Sequence, residues 1–159
     1  MKYTVEAQRV LDRTIALSED LKHNYVGSDH LMVSLLSSEG TEAHAILHML
    51  GVPADRLKQK VEERFPPPSI DRASRPFVPQ LRALLDEAHK NAMRRDQGPI
   101  GTEDLFCALA LSNGPPGKIL SEAVMEAGRG NAYTICATAD MFSRIGQVFR
   151  DKEAYKNGT

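Results

Sequence analysis

Two five-residue stretches gather the most reactive side-chain types in this chain of 159 residues. Gly27-Ser28-Asp29-His30-Leu31 returns 74 positions later as Gly101-Thr102-Glu103-Asp104-Leu105. Each copy reads as a glycine, a hydroxyl, a carboxylate and then an apolar helical run. A glycine can take φ > 0 and so end the preceding segment. A hydroxyl at a helix entrance can accept an orphan N–H of the first turn. A carboxylate in that turn lies against the positive end of the helix dipole, worth about 0.3–1 kcal/mol. The spacing therefore predicts two capped helices, and their recurrence predicts that one structural unit is duplicated.

The other reactive residues form no catalytic set. His44 and His48 stand at i and i+4, a spacing able to hold a metal, but no third ligand accompanies them, so they are read as surface or packing residues. His30 and His89 are read as structural, because no nucleophile, base and orienting group stand together. Gly114-Pro115-Pro116-Gly117-Lys118-Ile119 approaches the phosphate-binding pattern GxxxxGK[ST]. Its glycines are too close and no hydroxyl follows the lysine, so it is read as a helix–helix loop. Cys107 and Cys136 lie 29 apart without a CxxC pattern. Cys107 falls in an apolar helical run, which predicts a buried thiol rather than a disulfide or a metal ligand. The expectation is a chain that is not an enzyme and needs no metal and no cofactor.

Composition narrows the partners. The net charge of −1 leaves no basic excess for neutralising phosphates, and tryptophan is absent, so no nucleic-acid partner is expected. No apolar run is long enough to span a bilayer, and Met1–Glu6 lacks the core of a signal peptide. A cytoplasmic protein without a membrane partner is expected.

The elements that must position the two stretches follow from periodicity. Residues 5–21 carry Ala7, Val10, Leu11, Thr14 and Ile15 at helical spacing, with Thr4 as the N-cap. Helices are predicted over 30–37, 42–50 and 53–65, the last with Pro53 in its first turn. Pro66-Pro67-Pro68 opens a linker to Pro76 that contains Arg72 and Arg75. The pattern then restarts without a gap: Phe77-Val78 answers Tyr3-Thr4, Leu84 and Leu85 answer Val10 and Leu11, and Ile100-Gly101 answers Val26-Gly27. The register is lost after Gly117, and Gly128 falls three residues later than Gly51 predicts. A last helix is expected over 132–149, with Phe142, Ile145, Val148 and Phe149 along one stripe, followed by a polar tail.

This organisation resembles the N-terminal domain of the Clp family of AAA+ unfoldases, in particular the ClpA and ClpC branch. Tyr3-Thr4-Val5-Glu6-Ala7 with Gly27-Ser28-Asp29-His30-Leu31 carries the first copy, and Phe77-Val78-Pro79 with Gly101-Thr102-Glu103-Asp104-Leu105 the second. The likeness covers residues 3–128 and fades from Arg129. It implies an all-α fold of two tandem four-helix Clp repeats, about eight helices, packed with pseudo-two-fold symmetry. The divisions would be repeat 1 at 1–65, a linker at 66–76, repeat 2 at 77–149 and a tail at 150–159, in one compact domain.

By the same resemblance the chain is a binding module for substrates or adaptors of a Clp unfoldase or protease. Phosphoarginine is a candidate mark, with Asp29 and Glu103 accepting the guanidinium and Thr4 and Val78 on the phosphate side. A carboxylate can accept two donors of a planar guanidinium, and helix entrances suit phosphate. Two departures stand against a full site: Val78 lacks a hydroxyl, and Asp29 is one methylene shorter than Glu. Thr4, Asp29 and Glu103 are expected to converge between the starts of the repeats. No motor accompanies these residues, and the 129–159 segment is unlike an interdomain linker, so a stand-alone monomer is expected. The rival expectation is a regulatory domain that binds a small molecule in the inter-repeat cleft.

Overall fold

The computed structural model describes residues 1–38, 40–69, 75–95, 98–142 and 144. Within them the chain is all-α. The first four helices are α1 (Val5–Asp20), α2 (Ser28–Ser37), α3 (Glu42–Met49) and α4 (Ala54–Glu62). The second four are α5 (Pro79–Arg95), α6 (Thr102–Ala110), α7 (Pro115–Glu126) and α8, over 132–142. The expected stripe residues Ile145, Val148 and Phe149, the polar tail, and Arg72 of the linker lie outside the described residues.

The helices begin and end for identifiable reasons. Thr4 accepts the Ala7 N–H at 3.1 Å and caps α1, and Thr41 accepts the His44 N–H at 3.3 Å and caps α3. Pro53 sits at the N-cap of α4, one position earlier than periodicity suggests. Helices α3 and α7 both end on a left-handed glycine, Gly51 (φ 67°) and Gly128 (φ 69°). In each case the next N–H reaches back to a carbonyl of the last turn: Val52 to Leu47 at 3.0 Å and Arg129 to Val124 at 3.2 Å. The stretch from Gly114 is not a loop throughout. Gly114 is the N-cap of α7 and Pro115-Pro116 form its first turn. A Cβ on Gly117 would come within 2.7 Å of the Leu109 carbonyl, so this glycine lets α7 press against the end of α6.

Helices α2 and α6 are buried on nearly every side and form the centre, with Leu31, Met32 and Leu35 from one and Leu105, Phe106 and Leu109 from the other. Helix α1 covers α2, and α5 covers α6. The third helices bridge the halves: α3 packs on both α2 and α6, and α7 packs on α6, α4 and α2. Packing of each third helix on both repeats makes the halves interdependent, because each central helix is covered in part by the other repeat.

Two isolated backbone bridges tie the repeats together, Tyr3 to Ile100 and Val26 to Phe77. They are the same bridge seen twice, since adding 74 to Tyr3 and Val26 gives Phe77 and Ile100. Their hydrogen bonds match in kind. Thr4 N–H donates to Ile100 O at 2.9 Å and Val78 N–H to Val26 O at 3.0 Å, while Ile100 N–H donates to Lys2 O at 2.8 Å and Val26 N–H to Pro76 O at 3.0 Å. Such reciprocity is what a pseudo-two-fold axis requires.

The cysteines depart from expectation. Cys107 and Cys136 form a disulfide with their Cα atoms 4.9 Å apart. Periodicity placed Cys107 correctly in an apolar helix, but it could not show that α8 folds back over α6 and presents Cys136 to it.

Truncation at the centre should be costly and truncation at the rim should not. Leu105→Ala is expected to lower unfolding stability by roughly 2–5 kcal/mol, through lost burial and a residual cavity. Met125→Ala, at a site 59% exposed, should change it by no more than about 0.5 kcal/mol. Urea unfolding of the two variants measures the contrast.

Candidate functional site

The entrances of α2 and α6 are built alike, though not by the hydroxyls. Gly27 and Gly101 are the N-caps, and both have extended backbone (φ −127° and −97°), so neither uses the left-handed freedom of glycine. What each supplies is space. A Cβ on Gly27 would sit 2.7 Å from Asp29 Oδ1, and one on Gly101 would collide with the Glu103 carboxylate. The carboxylates fold back over the glycines. Each glycine N–H is taken by the side chain three residues on: His30 Nδ1 at 3.1 Å in the first copy, and Asp104 Oδ2 at 2.9 Å in the second. The Thr102 hydroxyl is used elsewhere, donating to Glu42 Oε2 of the first repeat at 2.7 Å.

Behind the first entrance lies a buried imidazole chain. Because the Gly27 N–H must donate, His30 Nδ1 is an acceptor and its proton is on Nε2. That proton goes to His23 Nδ1 at 2.8 Å, and His23 Nε2–H then donates to the Pro66 carbonyl at 2.9 Å. Tyr25 stacks on His23 and Phe65 on His30. Burial pushes the His30 pKa below its ordinary value of 6.5, against the opposing pull of Asp29 and with a contribution from His23. Tyr25 donates its hydroxyl to Asp29 Oδ2 at 2.8 Å, and the His30 N–H donates to Oδ1 at 2.9 Å. Burial and the hydrogen bond to Asp29 raise the Tyr25 pKa, so the phenol stays protonated and fixes the carboxylate. Asp29 remains 25% exposed.

Behind the second entrance stands an ion pair. Arg95 bonds Asp104 and also reaches Asp140 of α8 at 3.3 Å. The pseudo-symmetric entrances are thus supported by different chemistry, neutral rings in one and buried charges in the other.

The four residues singled out by sequence fall into two pairs across the bridges. The bridges place Thr4 beside Ile100-Gly101, and so with the Glu103 entrance, and Val78 beside Val26-Gly27, and so with the Asp29 entrance. Each crossing combines the acid of one repeat with the helix start of the other. The cleft at the first crossing includes Asp29 and Val78 but neither Thr4 nor Glu103, which the bridges pair at the second crossing. At the first crossing a cleft of about 330 Å³ opens, with Asp29, Tyr25, Val78 and Gln80 around it, Val61, Pro116 and Ile119 as apolar lining, and Arg64 at its edge. Tyr25 and Arg64 were not legible as site residues. Tyr25 lies in the connector four residues before Asp29, a weak signal, and nothing local marks Arg64. Among the described residues no group of His, Cys, Asp and Glu forms a metal site, and no helix is long and apolar enough to cross a membrane.

Residues 2–123 match the family model described as the Clp repeat (R) N-terminal domain. The chain belongs to this Clp repeat family. Chaperone protein ClpB of Vibrio cholerae serotype O1 is 31% identical over 113 residues, which is 69% of this chain and 13% of ClpB. A probable ATP-dependent Clp protease ATP-binding subunit of Chlamydia pneumoniae is 26% identical over 110 residues, 68% of this chain and 13% of that protein. The chain therefore spans about an eighth of the length of these curated relatives. Among solved structures, the N-domain of ClpV from Vibrio cholerae matches with a TM-score of 0.74 at 20% identity, over 88% of this chain and 84% of that one. A complex of a ClpV N-domain with a VipB peptide matches with a TM-score of 0.66 at 20% identity, over 86% of this chain and 88% of that one. The Clp N-domain fold, with its two crossed repeats, is thereby the fold of this chain.

Two predictions follow from the entrances. A lowered His30 pKa means that the unfolded chain binds more protons below pH 6.5, so stability should fall as pH drops from there to roughly pH 5, before most carboxylates titrate. His30→Gln should flatten that slope, as read by urea unfolding at a series of pH values. Gly101→Ala should force the Glu103 carboxylate off its glycine, visible as shifted Glu103 side-chain signals in NMR with the helical content retained.

Proposed function

We propose that this chain is a protein-binding module that takes a peptide segment of a partner at its crossed helix entrances, serving a Clp-type unfoldase or protease as a substrate- or adaptor-recognition domain. The observation that carries this reading is the likeness in fold to a ClpV N-domain that binds a VipB peptide. The character of the first crossing supports it. The cleft there is mostly apolar, yet it has a fixed carboxylate and a cation at its margin, which suits a short peptide with an anchoring side chain better than a reacting substrate. We further propose that the chain is a cytoplasmic binding module and not an enzyme.

The finer reading is that the anchoring side chain is phosphoarginine. Asp29, held by Tyr25, would accept the guanidinium. The phosphate side lacks a hydroxyl at Val78, and Arg64 in the same cleft offers the positive charge it needs. At the second crossing Glu103 is the acceptor and Thr4 the hydroxyl. Thr4 Oγ1 already accepts the Ala7 N–H, which leaves its own proton for a phosphate oxygen.

Calorimetry separates the levels of this claim. A peptide containing phosphoarginine should bind, with affinity reduced roughly tenfold or more by Asp29→Ala and Glu103→Ala together, on the scale of a lost charged hydrogen bond. Equal binding of the unmodified arginine peptide would leave the peptide module standing and remove the phosphoarginine reading. No binding of either peptide, together with no Clp subunit or client retained by the immobilised chain, would remove both.

A further inference from the structure

We propose that the Cys107–Cys136 disulfide is a thiol–disulfide exchange site, attacked at Cys136 by a dithiol reductant, whose opening releases α8 from the face formed by α5 and α6. The inference stands apart from the peptide reading and does not need it.

The two sulfurs are unequally accessible. Cys107 is buried in the central helix α6, whereas Cys136 is only half-buried on the outer helix α8. Both line an open groove of about 690 Å³ that runs past Leu84, Asn91 and Arg94 of α5. An incoming thiolate therefore meets the Cys136 sulfur first. Its attack forms a mixed disulfide on Cys136, breaks the S–S bond, and expels Cys107 as a thiolate that takes a proton from water. The second thiol of the reductant, once deprotonated, then attacks the mixed disulfide and leaves with the reductant as its own disulfide. Cys136 is left to take up a proton. Two electrons and two protons pass to the protein in all.

Among its described residues α8 has few deep anchors besides the bond. Its fully buried apolar side chains there are Ile135 and Ala139, the second only a methyl, Ala132 and Phe142 pack against the core only partly buried, and Tyr133 and Met141 are exposed. Its ion pair to Arg95 is made by Asp140, which is 53% exposed, so solvent screens it. The connector from α7 carries Gly128 and Gly130, both left-handed (φ 69° and 107°). A Cβ at Gly130 would collide with the Thr134 hydroxyl, so the joint is built from residues that also permit other backbone angles. The disulfide closes a loop of 29 residues across this joint.

Release of α8 reaches the second entrance. Arg95 divides its guanidinium between Asp140 and Asp104, and Asp104 holds the Gly101 N–H. Cys107 lies on α6, one turn beyond Glu103. Departure of Asp140 leaves Arg95 to Asp104 alone, at the base of the Glu103 entrance.

The test uses the full chain, oxidised in air. Iodoacetamide should label neither cysteine under native conditions. Limiting glutathione, quenched in acid and mapped by peptide mass spectrometry, should appear on Cys136 and not on Cys107. After dithiothreitol, amides of 132–142 should exchange with deuterium at least about tenfold faster, while those of α1–α4 keep their protection. A Cys107→Ser/Cys136→Ser variant should show the same pattern without reductant. Labelling of both cysteines before reduction, a glutathione adduct on Cys107, or unchanged exchange in α8 after reduction would each overturn the proposal. Loss of protection throughout α1–α4 on reduction would overturn it too, since the bond would then be a staple of the whole fold.

Discussion

Everything in this structure depends on the crossing of two short extended segments from opposite repeats. The segment before α1 pairs with the segment before α6, and the segment before α5 pairs with the segment before α2. Each backbone hydrogen bond at a crossing contributes only about 0.5–1.5 kcal/mol net. Their importance is geometric. They fix the helix starts of one repeat against the acid-bearing entrances of the other. The contacts of α3 with α6 and of α7 with α2 and α4 then add packing across the midline. A ligand surface made from both repeats is a direct consequence, because each entrance also borders a helix start of the other repeat.

The glycines at the entrances illustrate how space can be the selected property. Gly27 and Gly101 occupy backbone conformations open to any residue. What a larger residue would remove is the room in which Asp29 and Glu103 lie back over the main chain. A carboxylate held there is pre-oriented before any partner arrives, which lowers the conformational cost of using it as an anchor. The buried groups below serve the same end by different means. In the first repeat an ordered run of neutral imidazoles holds the Gly27 N–H, and in the second an aspartate held by arginine does so.

Much of the fold was legible in the sequence because the repeat is gapless where the crossings form. From Tyr3 to Leu36 every position has its partner 74 residues on, so apolar spacing in one copy checked the other. The helix entrances were legible as places, but not in their wiring. Glycine followed by a hydroxyl suggested hydroxyl capping, whereas the third residue does the capping and the hydroxyls of Ser28 and Thr102 sit inside the first turn. Nothing local in a sequence says which repeat a helix start will lie beside, so the pairing of Thr4 with Glu103 and of Val78 with Asp29 needed coordinates. The disulfide was illegible for a similar reason. Its formation depends on how α8 returns over α6, and the register that made the rest readable is lost after Gly117.

The divergence of the two entrances has a physical consequence of its own. Imidazoles at the first entrance are packed among aromatic rings, and burial lowers the pKa of His30 there. Arginine at the second entrance is always charged, and it is shared with an exposed aspartate of α8. That entrance is linked to α8 through this shared arginine. A duplicated unit would begin with equal sites. Here the surface residues Asp29 and Glu103 keep similar roles at the two helix starts, while the groups one layer below differ in chemistry. Two similar acids on different supports can be adjusted separately within one domain, an option that perfect symmetry would deny.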